Sequence, residues 1–201
     1  MPQAWLKELR VGGRLVVPVK NSIWRARKSH GVSYPPGGSK ACFRVEADSF
    51  WFAHRNDCIA AAVQMFPPEG FVFDIGGGNG FVSSRLEKEG FSSVVVEPEK
   101  DGIRNARRRG AMRLVNASLE DAGFRKGCIR AAGLFDVIEH VEDDAAFMRA
   151  MHRAMARRGR LYLSVPAGRW LWSSEDESAG HYRRYGLRDI ERLVKTAGFK
   201  V

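Results

Sequence analysis

The residues of this chain that could do chemistry begin with an acid and a glycine-rich turn. Residues 73–80 read F-D-I-G-G-G-N-G, so an apolar run contains Asp74 near its end and is followed by four glycines in the five residues 76–80. Glycine allows backbone angles that a Cβ would penalise and lets the backbone come close to a ligand. Residues 81–88 should form a helix, which would bring a helix N-terminus to the same ligand. The pattern predicts a binding loop for a nucleotide-sized cofactor.

The glycine spacing and a second acid indicate which class of cofactor the loop binds. Gly76, Gly78 and Gly80 are spaced G-x-G-x-G, whereas the dinucleotide fingerprint is G-x-G-x-x-G. A second apolar run, residues 94–96, ends in Glu97, which lies 23 positions after the first acid. A carboxylate at the tip of this next strand is well placed to accept hydrogen bonds from two ribose hydroxyls.

The segment 50–201 resembles the class I S-adenosylmethionine-dependent methyltransferases, in which an acid precedes G-x-G-x-G and the second strand also ends in an acid. Further stretches that resemble the family, in the same order, are 133–141, 159–166 and 187–194, the last followed by A-G-F. The resemblance implies a Rossmann-like, doubly wound α/β sheet and a transferase that uses S-adenosyl-L-methionine. It also divides the chain into an extension, residues 1–49, and a methyltransferase domain, residues 50–201.

The resemblance also implies which residues contact the cofactor. The first acid and the glycine loop would meet the amino-acid part, where the acid balances the ammonium, and Glu97 would bind the ribose. Asn116, followed by Ala117, occupies the place where the family often has an Asp that reads the adenine amine, and its amide oxygen can accept the same hydrogen bond. Asn116 could equally be an ordinary polar residue at a strand end. Phe135 and Asp136 would border the methionine and the transferred methyl.

Three potential metal ligands, Asp136, Glu139 and His140, lie within five residues beside the expected reaction centre. In ubiquinone-type O-methyltransferases and small-RNA 2′-O-methyltransferases, which this stretch resembles, an acid, a Glu and a His hold magnesium. The resemblance makes a Mg²⁺ site possible here, and a divalent ion would lower the pKa of a substrate hydroxyl, but many methyltransferases with a similar Glu-His pair need no metal, and none is assigned from the sequence. The alternative needs no metal: Glu139 and His140 would cap the helix that begins near Asp143, or act as a base and its partner.

Residues 170–185 form a long polar and aromatic stretch between the fifth strand and the next helix. Connections of this length are commonly lids or substrate loops. The stretch resembles the W-S-x-x-D…H-x-R-R-Y segment of a bacterial branch of the family. That resemblance makes His181 a candidate general base or further metal ligand, so the catalytic candidates are Asp136, His140 and His181.

The same stretch supplies the candidate substrate contacts. Arg183, Arg184 and Tyr185 would hold an anionic group of the substrate, and Trp172 is a further candidate substrate contact. In the alternative interpretation, the acids at 176 and 177 pair with the arginines and hold the loop shut.

The elements that must position these residues alternate between strand and helix, which predicts a parallel sheet covered on both faces. We expect strands at 71–75, 94–97, 112–115, 131–137 and 161–165, and helices at 50–65, 81–88, 102–109, 143–156 and 187–194. Ligands should bind beyond the carboxyl ends of the strands. Residues 11–20 should form an extra strand that protects the sheet edge, within a segment, 1–20, that resembles part of protein-isoaspartate methyltransferases. The family's usual C-terminal hairpin is not expected, because the sequence stops at Val201.

Composition and charge limit the remaining possibilities. The 201 residues, 44% of them hydrophobic, suffice for one α/β core, and three cysteines without a C-x-x-C pair favour a reducing, cytoplasmic location. No apolar run approaches the roughly 18 residues of a membrane span, so no membrane insertion is expected. The net charge of +10 could attract nucleic acid, although arginines at helix C-termini are also favoured by the helix dipole.

These observations together predict O-methylation of a small molecule, which could be anionic. The alternatives are a methyltransferase acting on RNA or another polyanion, and a catalytically silent cofactor-binding or scaffold protein.

Overall fold

A seven-stranded sheet forms the centre of the computed structural model, which describes residues 16–19, 23–26, 35 and 37–201. The strands, in chain order, are β1 (Val16–Val19), β2 (Ile23–Ala26), β3 (Val72–Ile75), β4 (Ser93–Val96), β5 (Leu114–Asn116), β6 (Ile129–Phe135) and β7 (Met155–Ser164). Their spatial order is β1-β2-β5-β4-β3-β6-β7. Strands β2 to β7 run parallel, and β1 pairs antiparallel with β2 at the edge. The predicted parallel α/β sheet is confirmed.

Helices connect the strands and cover both faces of the sheet. They are α1 (Gly38–Val45), α2 (Phe50–Met65), α3 (Phe81–Lys88), α4 (Lys100–Arg108), α5 (Asp144–Ala154), α6 (Ser174–Ala179) and α7 (Leu187–Thr196), with short 3-10 turns at Ile138–His140 and Arg169–Leu171. None of the described helices combines the length and the apolar character needed to cross a lipid bilayer.

Side chains that alternate along the strands build the core on the two faces. Phe73 and Ile75 of β3 pack on the side of α5 and α7, whereas Val72 packs on the side of α2 and α3. The central strands β3 and β4 are buried at every position, as expected for parallel strands covered on both faces. This rigid sheet fixes where its carboxyl ends point.

The bounds of several elements differ from those predicted. Helices α2 and α3 begin and end as expected, but β6 ends at Phe135 because the next residue, Asp136, has a left-handed φ of 55°. Strand β5 extends to Asn116, which therefore lies within the strand and not past it. Strand β7 begins at Met155, six positions earlier than predicted, because Met155 already pairs with Ile129.

The N-terminal extension contributes two strands to the sheet. Strand β1 falls within the predicted strand at 11–20, whose remaining residues lie outside the described ones. Strand β2 was not predicted, and it connects β1 to β5 of the central sheet. The segment before residue 50 is thus joined to the methyltransferase-like part through main-chain pairing.

Candidate active site

A cavity of about 1060 Å³ opens at the carboxyl ends of the parallel strands, where the sequence places the ligand. One part of its wall, the loop end, consists of Asp74, the glycine loop and Glu97. Another part, the histidine end, includes Asp136 and the residue pair Glu139-His140. Both groups of predicted residues therefore face one continuous cavity.

The glycine loop has the backbone geometry that its residues predict. Gly76, Gly78 and Gly80 have φ values of 71°, 50° and 70°, in the left-handed region that side chains penalise. A Cβ on Gly80 would lie 2.8 Å from Cβ of Ala106, whereas a Cβ on Gly78 would meet no atom within 4 Å. Since Gly78 also lines the cavity, the space in front of it is the cavity itself. Gly80 is needed for packing against α4, and Gly78 leaves room for a ligand.

Asp74 is buried at the end of β3 and is held by the helix that follows the loop. The Ser83 hydroxyl of α3 donates a hydrogen bond of 2.7 Å to its Oδ2. Burial raises the pKa of Asp74 to about 6, although the Ser83 hydrogen bond opposes this. A cationic group in the cavity would favour the ionised form of this acid.

Glu97 is fixed at the tip of β4 by two backbone donors. The amides of Gly78 and Glu99 donate to its Oε2 and Oε1 over 2.9 and 2.6 Å. Burial raises the pKa of Glu97 to about 7. Each carboxylate oxygen can accept a further hydrogen bond, so the side chain can receive two hydroxyls from a ligand.

Asn116 and Ala117 do not line the cavity. The Asn116 amide nitrogen donates to the carbonyls of Glu97 and Pro98, and its amide oxygen accepts from Arg25 Nε at 3.2 Å. This oxygen could accept a second hydrogen bond, but Asn116 lies outside the cavity wall that an adenine amine would contact. The cavity wall in this region consists instead of residues 118–120, which sequence analysis missed.

Asp136 is held in a strained conformation at the end of β6. It is one of two described non-glycine residues with a left-handed φ, a conformation that costs free energy and is often kept at functional sites. Arg55 of α2 forms a 2.5 Å ion pair with its Oδ2 and donates to the Phe135 carbonyl at 3.2 Å. The Ser164 hydroxyl donates to its other oxygen at 3.0 Å. Phe135 and Asp136 both line the cavity, which is consistent with their predicted position beside the transferred methyl group.

Glu139, His140 and His181 form a compact cluster. One ligand atom from each lies within 4.8 Å of the others, and the two imidazole rings meet edge to face at 4.7 Å. Glu139 is fully buried, and neither of its carboxylate oxygens has a hydrogen-bond partner in the described part of the chain. Burial, and then the charge of Asp136, raise the pKa of Glu139 to about 8. Burial and the neighbouring His181 lower the pKa of His140 to about 4.

The cluster differs in one member from the predicted metal set of Asp136, Glu139 and His140. Asp136 is engaged by Arg55, and His181 from the long loop stands with Glu139 and His140 in its place. Sequence analysis named His181 as a further ligand, and the backbone N–H of Tyr182, which donates to the Glu139 carbonyl at 2.7 Å, fixes the loop beside the cluster.

Asp176 organises the loop around His181. Its buried carboxylate lies 2.8 Å from His181 Nδ1 and accepts from Arg184 Nε at 2.7 Å. These hydrogen bonds, above all the one from Arg184, hold the pKa of Asp176 below its ordinary value. The loop is thus held by an acid that pairs with an arginine, as the alternative interpretation of this stretch has it.

Three of the candidate substrate contacts, Trp172, Arg183 and Tyr185, do not line the cavity. Arg183 pairs with Asp144 at 2.8 Å, and the Tyr185 hydroxyl donates to the same carboxylate at 2.8 Å. The Trp172 indole donates to Glu177 at 3.4 Å. Of the four predicted contacts only Arg184 lines the cavity, because the others are occupied in holding the loop to α5 and α6.

Helix α1 lies across the glycine loop, which no sequence pattern indicated. The Asn79 side-chain amide donates to the Ser39 carbonyl at 2.9 Å and to Glu46, which pairs with Arg109 at 2.6 Å. Ser39 and Glu46 line the cavity together with Trp51 and Arg55 of α2. The partners are 30 or more positions apart in the chain, so local spacing carries no signal for them.

A glycine loop between two buried acids at the carboxyl edge of a parallel sheet is the cofactor site of the class I S-adenosylmethionine-dependent methyltransferases. A family model described as "Methyltransferase domain" matches residues 50–201. The chain belongs to this family of methyltransferases.

Relatives and solved structures agree with this assignment. A ubiquinone biosynthesis O-methyltransferase of Xanthomonas oryzae pv. oryzae is 29% identical over 100 residues, which are 47% of this chain and 42% of that protein. The chain thus matches less than half the length of this curated relative. A SAM-dependent methyltransferase of Thermotoga maritima has a TM-score of 0.63, 21% identity and 81% coverage of both chains. A Haemonchus contortus phosphoethanolamine N-methyltransferase 2, solved with S-adenosylhomocysteine, has a TM-score of 0.60 and 19% identity, over 71% of this chain and 37% of that one. These two structures share the fold.

Proposed function

We propose that this protein transfers the methyl group of S-adenosylmethionine to a hydroxyl oxygen of a small molecule, assisted by a divalent cation held by Glu139, His140 and His181. The observation that carries the proposal is Glu139, whose two buried oxygens have no partner among the described residues while two imidazoles stand beside it. A buried carboxylate without a partner is costly unless it is protonated or bound to a cation.

The loop end of the cavity would bind the cofactor. Asp74 would accept the ammonium of its amino-acid part, and Glu97 the two ribose hydroxyls, since both residues line this end of the cavity. The sulfonium makes the methyl electrophilic without help from the protein. What remains for the protein is to align an oxygen nucleophile with the methyl and to exclude water.

The donor set at the histidine end fits a cation. Two imidazoles and one carboxylate suit a transition-metal ion such as Mn²⁺ or Zn²⁺ better than the all-oxygen shell that Mg²⁺ prefers. Asp176 holds His181 through Nδ1, which is how a carboxylate commonly orients a metal-binding histidine. When bound, a divalent cation lowers the pKa of a hydroxyl that it contacts.

The cavity wall favours an acceptor with an apolar or aromatic body. Trp51, Leu171 and Tyr182 line the cavity and are also exposed, so they form an apolar rim at its mouth. Arg55 and Arg184, the arginines of the wall, already pair with Asp136 and Asp176. The wall therefore gives no support to the expectation of an anionic acceptor, and a phenol-type hydroxyl is the better match.

The test is methyl transfer from labelled S-adenosylmethionine to a panel of phenols, catechols and amines, with EDTA or with added Mn²⁺ or Mg²⁺. We expect turnover on a hydroxyl acceptor that EDTA suppresses and Mn²⁺ restores. His181→Ala should lower turnover by about 10²-fold or more and leave S-adenosylhomocysteine binding intact, whereas His54→Ala, an exposed histidine outside the cavity wall, should change neither. Turnover on amines alone, or full activity of His181→Ala, contradicts the proposal.

A further inference from the structure

A cluster of exposed cations occupies the end of the molecule opposite the cavity. We name it the basic pole, and it consists of Lys126, Arg130, Arg153, Arg157, Arg158 and Arg160, all exposed. The Gly127 amide donates to the Arg153 carbonyl at 2.9 Å, which ties the turn before β6 to the end of α5. The pairing of β6 with β7 brings Arg130 beside the remaining three arginines. The fold thus brings residues of α5, β6, β7 and the turn before β6 together on one surface.

The backbone of β7 is distorted where it presents these arginines. Ile129 pairs with Met155 and Ala131 with Arg160, so one residue of β6 faces four residues of β7. Within this bulge Arg158 has a left-handed φ of 64°, and a Cβ on Gly159 would lie 2.9 Å from the Ala156 carbonyl oxygen. Glycine or asparagine would adopt the conformation of residue 158 at lower cost. An arginine in this position suggests that its charge has a use, because such strain is commonly kept for function.

The charges of the basic pole are not balanced by neighbouring acids. Glu69, itself largely exposed, lies 3.5 Å from Arg130, and no carboxylate of the described residues pairs with the other five cations. Elsewhere on the surface, arginines such as Arg85, Arg104 and Arg113 do pair with acids. Crowded like charges repel one another, and an anionic partner relieves that repulsion.

The location of the basic pole separates it from methyl transfer. Arg130 stands at the start of β6, whereas Phe135 at the other end of that strand lines the cavity. At about 3.3 Å per residue, the seven residues of β6 span roughly 20 Å. Phosphates bound at the basic pole would therefore lie roughly 20 Å from the cavity wall.

We propose that the basic pole is a docking surface for the phosphate backbone of a nucleic acid. Five of its six cations are arginines, whose planar guanidinium groups match phosphate oxygens in pairs. No large hydrophobic residue is exposed within residues 125–130 or 153–160, so the surface lacks the apolar side chains that anchor proteins in a bilayer. It also lacks exposed aromatic rings for stacking on bases, so binding should be independent of sequence.

The test is fluorescence anisotropy with a single-stranded RNA 20-mer and a DNA of the same sequence, titrated at several salt concentrations. Phosphate binding predicts that the logarithm of the association constant falls linearly with the logarithm of salt concentration, by about 0.7 per phosphate contacted. The triple variant should lower the magnitude of that slope by about 2 for both the RNA and the DNA oligonucleotide. Its substitutions are Arg157→Gln, Arg158→Asn and Arg160→Gln. Asparagine is used at position 158 because it tolerates the left-handed backbone.

A matched control removes three charges from another arginine-rich element. Arg104→Gln, Arg107→Gln and Arg108→Gln on the exposed face of α4 make the same change in net charge and should leave the slope unchanged within about 0.5. An equal loss of slope in both variants would overturn the proposal, since binding would then follow net charge alone. The proposal would also be overturned if the triple variant bound RNA as well as the wild type does but no longer bound phosphatidylserine vesicles. If the triple variant does not fold, Lys126→Gln with Arg153→Gln, outside the bulge, should lower the slope by about 1.4.

Discussion

Replacing Gly78 by alanine should weaken cofactor binding and should lower stability no more than alanine does at an open left-handed glycine elsewhere in the chain. Gly78 has a left-handed φ of 50° and lines the cavity, and a Cβ there meets no protein atom within 4 Å. The added methyl would therefore stand in the space that the cofactor needs. The left-handed backbone costs a non-glycine residue about 1–2 kcal/mol, so we expect the free energy of unfolding to fall by that amount.

The expected loss of affinity follows from overpacking. Forcing a methyl into an occupied site costs about 1–3 kcal/mol, and each 1.4 kcal/mol is tenfold in affinity. S-adenosylhomocysteine should thus bind Gly78→Ala about 5- to 140-fold more weakly than the wild type. Gly90→Ala is the matched control: Gly90 has a left-handed φ of 86°, equally open surroundings and no part in the cavity wall.

The assay pairs urea unfolding with titration of S-adenosylhomocysteine for the wild type and both variants. Both variants should lose similar stability, and only Gly78→Ala should lose affinity. Wild-type affinity in Gly78→Ala, or an equal loss in Gly90→Ala, would refute the placement of the cofactor against the glycine loop.

Three further predictions concern the buried acids. Because Glu97 has a pKa of about 7, S-adenosylhomocysteine affinity should weaken up to tenfold per pH unit as the pH falls below 7. Glu97→Gln should bind weakly and lack this slope between pH 7 and pH 6, whereas below pH 6 protonation of Asp74 should weaken binding in both proteins. The pKa of Glu139 is ordinarily 4.5 and is about 8 in the folded protein, so between these two pH values the folded protein keeps a proton that the unfolded chain releases. In the presence of EDTA, the free energy of unfolding should therefore fall as the pH rises, by at most about 1.4 kcal/mol per pH unit. Urea unfolding of Glu139→Gln should lack this fall between pH 7 and pH 8, above the pKa values of Asp74 and Glu97, and an unchanged pH dependence there would contradict the burial of an unpaired carboxyl. Asp176→Asn should lower the free energy of unfolding at pH 7 by about 3 kcal/mol, because Arg184 loses its buried partner. Glu175→Gln, on the exposed side of α6, should change it by less than about 0.5 kcal/mol. Equal effects of the two substitutions would refute the role of Asp176 in holding the loop.

Much of the fold and the loop end of the site could be predicted from sequence because their signals are local. The apolar residues before Asp74 and before Glu97 are consecutive in the sequence, which indicates buried strands. Glycines at this spacing indicate a turn with left-handed backbone angles. Helix α2 was found at its observed bounds because Pro67 and Pro68 follow it closely and end it.

The histidine end could be predicted only in part because its geometry depends on pairs that are distant in the chain. Asp136 was expected to face a metal, but Arg55, 81 positions earlier, takes its carboxylate. The arginines of the long loop looked like ligand contacts because sequence does not show that Asp144 and Asp176 already hold them. Local patterns identify candidate groups, and long-range ion pairs decide which of them remain available to a ligand.

The most direct test of the central claim is a calorimetric titration of the wild-type protein with S-adenosylhomocysteine, with NAD as the control ligand. We expect saturable binding at one site per chain, with an affinity in the micromolar range typical of such ligands, and no comparable binding of NAD. Absence of binding, or equal binding of NAD, would contradict the assignment of the loop end to S-adenosylmethionine.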